Sequence, residues 1–215
     1  MRRAILITLA AAILAATGWA ASWALGTEPA RPAPAAHPAP AAHQHSGQPA
    51  AAITDSRGLA ARLAQARLAT ARYATDLHAA KADGYQIITR MIPDMGWHFL
   101  NPTIQGFHVT RPPILVYERH GRSWQLGAFE WVFPTKPATP PLPGATYGSF
   151  GAACHYKDGT FVFARVQELC AHHNTGARFS FWHPDLVTLH VWLWYHNPAG
   201  LYNGTNPLVG PFNHT

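Results

Sequence analysis

The chain has 215 residues, with 12% charged, 12% aromatic and a formal net charge of +6. From Thr54 onward thirteen Lys and Arg stand against nine Asp and Glu, leaving a balance of +4 with no dense basic stripe. This composition excludes a disordered chain and argues against a nucleic-acid interface built on clustered Lys and Arg.

Met1-Arg2-Arg3 is a positive start, and Ala4 to about Gly26 is apolar and uncharged. Ser22-Trp23-Ala24 offers a small-x-small cleavage site. Residues 1–26 are therefore expected to be a secretory signal peptide or, because the run approaches the roughly 20 residues of a membrane span, an uncleaved anchor. Either tethers or delivers the rest outside the cytoplasm. Residues 27–53 are rich in Pro and Ala and carry His37, His43 and His45. They predict a partly extended linker.

Residues 54–215 predict one globular domain of roughly 160 residues, long enough to bury a core without staples. Thr54, Asp55 or Ser56 can cap a helix. Leu59, Leu63, Ala66, Thr70, Tyr73, Leu77 and Ala80 then recur at four–three spacing, the stripe of an amphipathic helix ending near Gly84. Strands are predicted over Gly84–Thr89, Ile114–Arg119 and Ser123–Phe133. In the last of these, Trp124, Leu126, Ala128, Glu130 and Val132 share one face by alternation. Phe133–Gly148 is a Pro-rich loop. Ser149–Tyr156 and Thr160–Val166 predict a hairpin around Lys157-Asp158-Gly159, since Asp-Gly favours a tight turn. Leu186–Tyr195 predicts a further strand. There Val187, Leu189, Val191, Leu193 and Tyr195 form a core face, and Thr188, His190, Trp192, Trp194 and His196 the other. One helix followed by strands and turns predicts α+β: a long N-terminal helix packed on an antiparallel sheet or partly closed barrel.

Glu130 is the single charge on its predicted face, and a buried carboxylate needs a partner or a cation. With His98, His183 and His190 it makes a ligand set suited to a transition metal such as zinc, copper, iron or manganese. Pro184-Asp185 must turn the chain for His183 to join His190, and His196 sits at the strand's end, outside the set. Trp97, Trp192 and Trp194 are candidate walls of the pocket, able to stack on a sugar or planar molecule. Met91, Met95 and His98 are an alternative set for Cu(I). Cys154 and Cys170, sixteen positions apart, are expected to pair in an exported protein. The alternative joins Cys154-His155 to Cys170, His172 and His173 around a metal. No nucleophile elbow, phosphate loop or dinucleotide fingerprint occurs.

Gly84-Tyr85, Met95-Gly96-Trp97-His98-Phe99, Trp182-His183-Pro184, His190-Val191-Trp192 and Asn197-Pro198-Ala199-Gly200 together resemble a family of exported bacterial domains, over about Ala69 to Asn213. The resemblance implies export and brings no activity with it. The acid and separated histidines are also similar in type to the cupin metal site, without that family's two closely spaced histidines and following Glu. Three functions fit these observations: a metal-binding domain for storage, sensing or catalysis; a metal-free module for a sugar or small hydrophobic ligand; and a structural envelope protein on a spacer.

Overall fold

The computed structural model describes residues 50–172 and 176–212. The leader or anchor, nearly all of the linker with its three histidines, and His173 lie outside these residues. Helix α1 spans Ala50–Thr70, so Thr54–Ser56 fall inside it, not at its start. Leu59 and Leu63 pack against the core and Ala66 is fully buried. The predicted stripe does not run on as one helix. The Thr70 hydroxyl donates back to the Ala66 carbonyl at 2.8 Å, a bond that competes with helix continuation. A 3₁₀ turn over Ala71–Tyr73 follows. A short helix α2 (Leu77–Ala82) then starts beneath Asp76, whose carboxylate accepts the Ala79 N–H at 3.0 Å. Tyr73, Leu77 and Ala80 still reach the same core, so the break bends the chain without losing its apolar stripe.

Among the described residues nine strands follow in chain order: β1 (Gln86–Ile92), β2 (Gly96–Leu100), β3 (Ile114–His120), β4 (Ser123–Phe133), β5 (Gly148–Phe150), β6 (Ala153–Tyr156), β7 (Phe161–Phe163), β8 (Phe179–His183) and β9 (Leu186–Val191). They form a curled six-stranded sheet, β1-β2-β3-β4-β9-β5, and a three-stranded sheet, β7-β6-β8. Every pairing is antiparallel, which with the helices gives the expected α+β class.

The arm predicted over Ser149–Tyr156 is divided between the two sheets. Its first residues pair with β9 in the larger sheet, and the chain crosses at Gly151-Ala152 into β6. Strand β8, unforeseen from the sequence, returns to the larger sheet through Pro184-Asp185. The two crossings are tied together, because Asp185 Oδ1 accepts the Ala152 N–H at 2.8 Å. The β6–β7 turn docks on β1. Gly159 has φ +83° and its carbonyl accepts the Arg90 N–H at 2.7 Å. A Cβ there would stand 2.6 Å from Ile87 Cδ1, so only glycine fits.

The larger sheet has two unlike faces. Leu115, Tyr117, Phe129, Trp131, Leu189 and Val191 pack with the helices. Ile114, Val116, Ala128 and Trp192 pack on the opposite side with Val209. Alternation misassigned part of β4. Val116 pairs with Ala128 but Tyr117 pairs with Leu126, so Gly127 is an extra residue in a bulge. The bulge reverses the side-chain parity. Trp124 and Leu126 therefore face the helices, and Ala128 and Val132 the other side. Strand β9 also ends earlier than predicted. The Trp192 N–H turns to Leu201 O at 2.9 Å, and the N–H groups of Trp194 and Tyr195 both reach Gly127 O. Trp194 thereby joins the helix-side core and Tyr195 the opposite cluster, the reverse of the predicted assignment.

Cys154 and Cys170 are disulfide-bonded and pack with Tyr156 and Ala164. This removes the alternative in which their thiolates ligate a metal with His155, His172 and His173. Among the described residues no helix is long and apolar enough to cross a membrane. Closing a loop with a sequence separation of 16 stabilises by about 3 kcal/mol in the chain-entropy treatment. Cys154→Ser/Cys170→Ser is expected to lower unfolding free energy by about that amount in urea titration, and reduced wild type should match it.

Candidate metal centre

The register of the larger sheet assembles the site. Glu130 on β4 lies directly opposite His190 on β9. His98 on β2 pairs with Val116 on β3 and with Thr89 on β1. The Gly127 bulge puts Glu130 on the face away from the helices. The Glu130 carboxylate then sits between two imidazoles, with Oε2 3.6 Å from His98 Nε2 and Oε1 3.7 Å from His190 Nε2. Ligand atoms from the three residues all lie within 4.8 Å of one another, and all three side chains are buried. This group can hold a metal ion.

The hydrogen-bonding pattern supports that fit. Both separations exceed the usual hydrogen-bond length of about 3.2 Å. A tetrahedral ion with bonds of about 2.0–2.1 Å would set its ligands about 3.3 Å apart, so the two carboxylate–imidazole separations need close only by a few tenths of an ångström, while the three ligand atoms together lie within 4.8 Å. His190 is 3% exposed, yet neither of its ring nitrogens has a protein partner among the described residues. A buried polar group left this way forfeits about 1–3 kcal/mol. Thr89 Oγ1 lies 2.7 Å from His98 Nδ1. With that nitrogen donating to the hydroxyl, Nε2 turns its lone pair toward Glu130, the arrangement that outer partners give to metal-bound histidines.

Burial pushes the His98 imidazole down to about 4 against the opposing pull of Glu130, so it stays neutral at physiological pH. Burial alone would raise the Glu130 carboxyl. The positive charge that the neighbouring imidazoles can carry, His190 foremost, reverses that and holds it below its usual value. A neutral His98 imidazole and an ionised Glu130 carboxylate are in the protonation states that bind metals.

A cavity of about 260 Å³ opens between the two sheets over this group. His98 and Glu130 line it, with Thr89, Ser149 and Thr188, against a mainly aliphatic and phenylalanine wall. His183 lines it too but does not join the three-residue group. Its Nε2 lies 3.0 Å from Nε2 of His155, on the facing strand of the smaller sheet. Met95 is also in the lining and Met91 is not, so the Cu(I) set is not brought together there. None of Trp97, Trp192 and Trp194 lines the cavity. Trp97 packs edge-on against Trp124 on the helix side. Trp192 is buried, its indole N–H donating to Asn203 O at 2.7 Å. Trp194 donates to Thr70 Oγ1 and carries the Arg67 guanidinium on its ring. The cavity wall is made instead by residues such as Phe150, Phe181 and Leu186.

Two buried acids or bases escaped the sequence reading. His155 was weighed only beside Cys154. Because Cys154 turns into the disulfide cluster, alternation along β6 sends His155 to the cavity. Glu118 shares its face of β3 with Ile114 and Val116, a lone charge at strand spacing that signalled it. It is fully buried, and neither carboxylate oxygen has a hydrogen-bond partner among the described residues. Gly96 (φ +107°) makes room for it, since a Cβ there would lie 2.5 Å from Glu118 Oε1.

No family model matches the chain, and neither curated proteins nor solved structures offer a significant match.

Burial raises the Glu118 carboxyl from 4.5 to about 8. Between those values the folded state binds more protons than the unfolded state, so stability falls as pH rises through this window, by at most about 1.4 kcal/mol per unit. Glu118→Gln is expected to flatten this slope. Urea titrations of both proteins at intervals from pH 5 to 8 should show their stabilities diverging in favour of the variant. Parallel pH profiles would show that the unfavourable burial of charge is absent.

Proposed function

We propose that this is an extracytoplasmic domain that binds a transition-metal ion through His98, Glu130 and His190. One observation carries the reading: His190 is buried with both ring nitrogens unpartnered, its Nε2 turned to a carboxylate too distant for a hydrogen bond. A cation satisfies all three side chains at once. Placement outside the cytoplasm is supported by the basic, then apolar, start of the chain and by the disulfide.

The protein's own contribution to chemistry at this site is positional. Thr89 orients His98, the β4–β9 register holds Glu130 against His190, and the apolar wall limits water. A bound transition metal supplies Lewis acidity and a lowered pKa for bound water. Glu130 serves as ligand or as base. Storage, sensing and catalysis are all compatible with that arrangement.

The apolar lining of the cavity favours a second reading, in which a small hydrophobic molecule occupies it without metal. Thermal unfolding of the full chain separates the two. Zn(II) at a hundred times its dissociation constant is expected to stabilise the wild type by about 2.7 kcal/mol, and His190→Ala and Glu130→Ala should lose this gain. The linker histidines are common to all three proteins. Zinc stabilisation unchanged by both substitutions would sink the reading. Stabilisation by benzene in the presence of EDTA would favour the second.

A further inference from the structure

His155 and His183 are diagonal neighbours across the β6–β8 ladder, on the same cavity but outside the three-residue group. His155 Nδ1 lies 2.8 Å from Ile88 O, and His183 Nδ1 lies 2.6 Å from Pro184 O. A carbonyl oxygen only accepts, so both Nδ1 atoms carry the proton. In the neutral rings both Nε2 atoms are then bare lone pairs. They point at each other across 3.0 Å. Two lone pairs at that distance repel unless a cation lies between or beside them.

We propose that His155 and His183 form a second metal-binding pair on the cavity, so that one chain holds two transition-metal ions. Imidazole nitrogen suits zinc, copper, iron and nickel. Two bonds of about 2.0–2.1 Å reach nitrogens up to about 4.2 Å apart, and this pair lies well within that span. Each ring donates its remote N–H to a backbone carbonyl, the support that metal-bound histidines ordinarily have. The rings are held in place before any ion arrives. Phe181 stacks on His155 with centroids 4.6 Å apart and planes 9° from parallel, and Phe150 lies against both imidazoles. Two protein ligands leave positions open toward the cavity. The pair shares no residue with the His98, Glu130 and His190 group, so either site can fail without the other.

The competing occupant is a proton, which would turn the pair into an imidazole–imidazolium hydrogen bond. Zinc stoichiometry by elemental analysis of the stripped, reloaded and desalted full chain distinguishes them. His183→Phe keeps an aromatic ring beside Phe150 and removes both nitrogens. It is expected to bind about one equivalent less than wild type, and His190→Gln about one equivalent less independently. The linker histidines cancel in these differences. A loss in His190→Gln with none in His183→Phe would overturn the second site and leave the first. A loss in His183→Phe alone would support the second and sink the first. Circular dichroism checks that each variant folds. Independently of variants, long-range ¹H–¹⁵N spectra of wild-type histidine rings should show both Nε2 resonances of this pair moving on addition of Zn(II). A proton shared between them at saturating zinc would overturn the proposal.

Discussion

Glu130 lies beneath one face of the larger sheet, with an imidazole on either side and neither near enough to hydrogen-bond. A carboxylate in such a place is costly unless positive charge balances it. Its neighbours His98 and His190 are themselves buried, and burial holds His98 neutral. The balancing positive charge must therefore come from His190 or from a bound cation. A metal ion can supply it, because ligand atoms of all three groups lie within 4.8 Å of one another.

The fold positions these groups by irregularities more than by regular repeats. The Gly127 bulge sets which face Glu130 occupies, and the Gly127 carbonyl also takes the chain as it leaves β9. The two crossings, tied by Asp185 and Ala152, bring the smaller sheet over the cavity. The disulfide braces that sheet directly beside His155. A cavity with imidazoles on both walls results from these three devices.

Much of this was legible in the sequence where simple periodicity holds. The α+β class follows from the order of helix and strand signals, the core face of Leu189 and Val191 and the opposite placement of His190 from strand alternation, and the cysteine pair from compartment chemistry. His98 is legible by residue type alone and Glu130 as the single charge on its strand face, and the register brings Glu130 opposite His190. What escaped were features that break the period. A bulge at Gly127 is one residue among eleven, and nothing local distinguishes it from an ordinary strand glycine. Trp194 and Tyr195 exchanged faces because β9 stops early. His183 meets His155, a neighbour that the sequence does not show, because Pro184-Asp185 carries the chain from one sheet to the other rather than bending it within one. The tryptophans attracted attention as a pocket wall, yet their large surfaces and indole N–H groups are satisfied in the core, by Asn203 O and Thr70 Oγ1 among others.

Strand β9 is inserted between β4 and β5, and among the described residues β5 pairs with no strand other than β9. The ladder that brings His190 to Glu130 joins positions about sixty residues apart, so a long loop must close before that pair meets. Until then Glu130 keeps its hydration and β5 has nothing to pair with. Docking of β9 therefore combines the loss of chain freedom with the dehydration of a carboxylate, and only afterwards is the group of ligands complete. Non-local pairing of this kind makes folding slow. It also makes the ligand group a property of the finished sheet, not of any segment that can form alone.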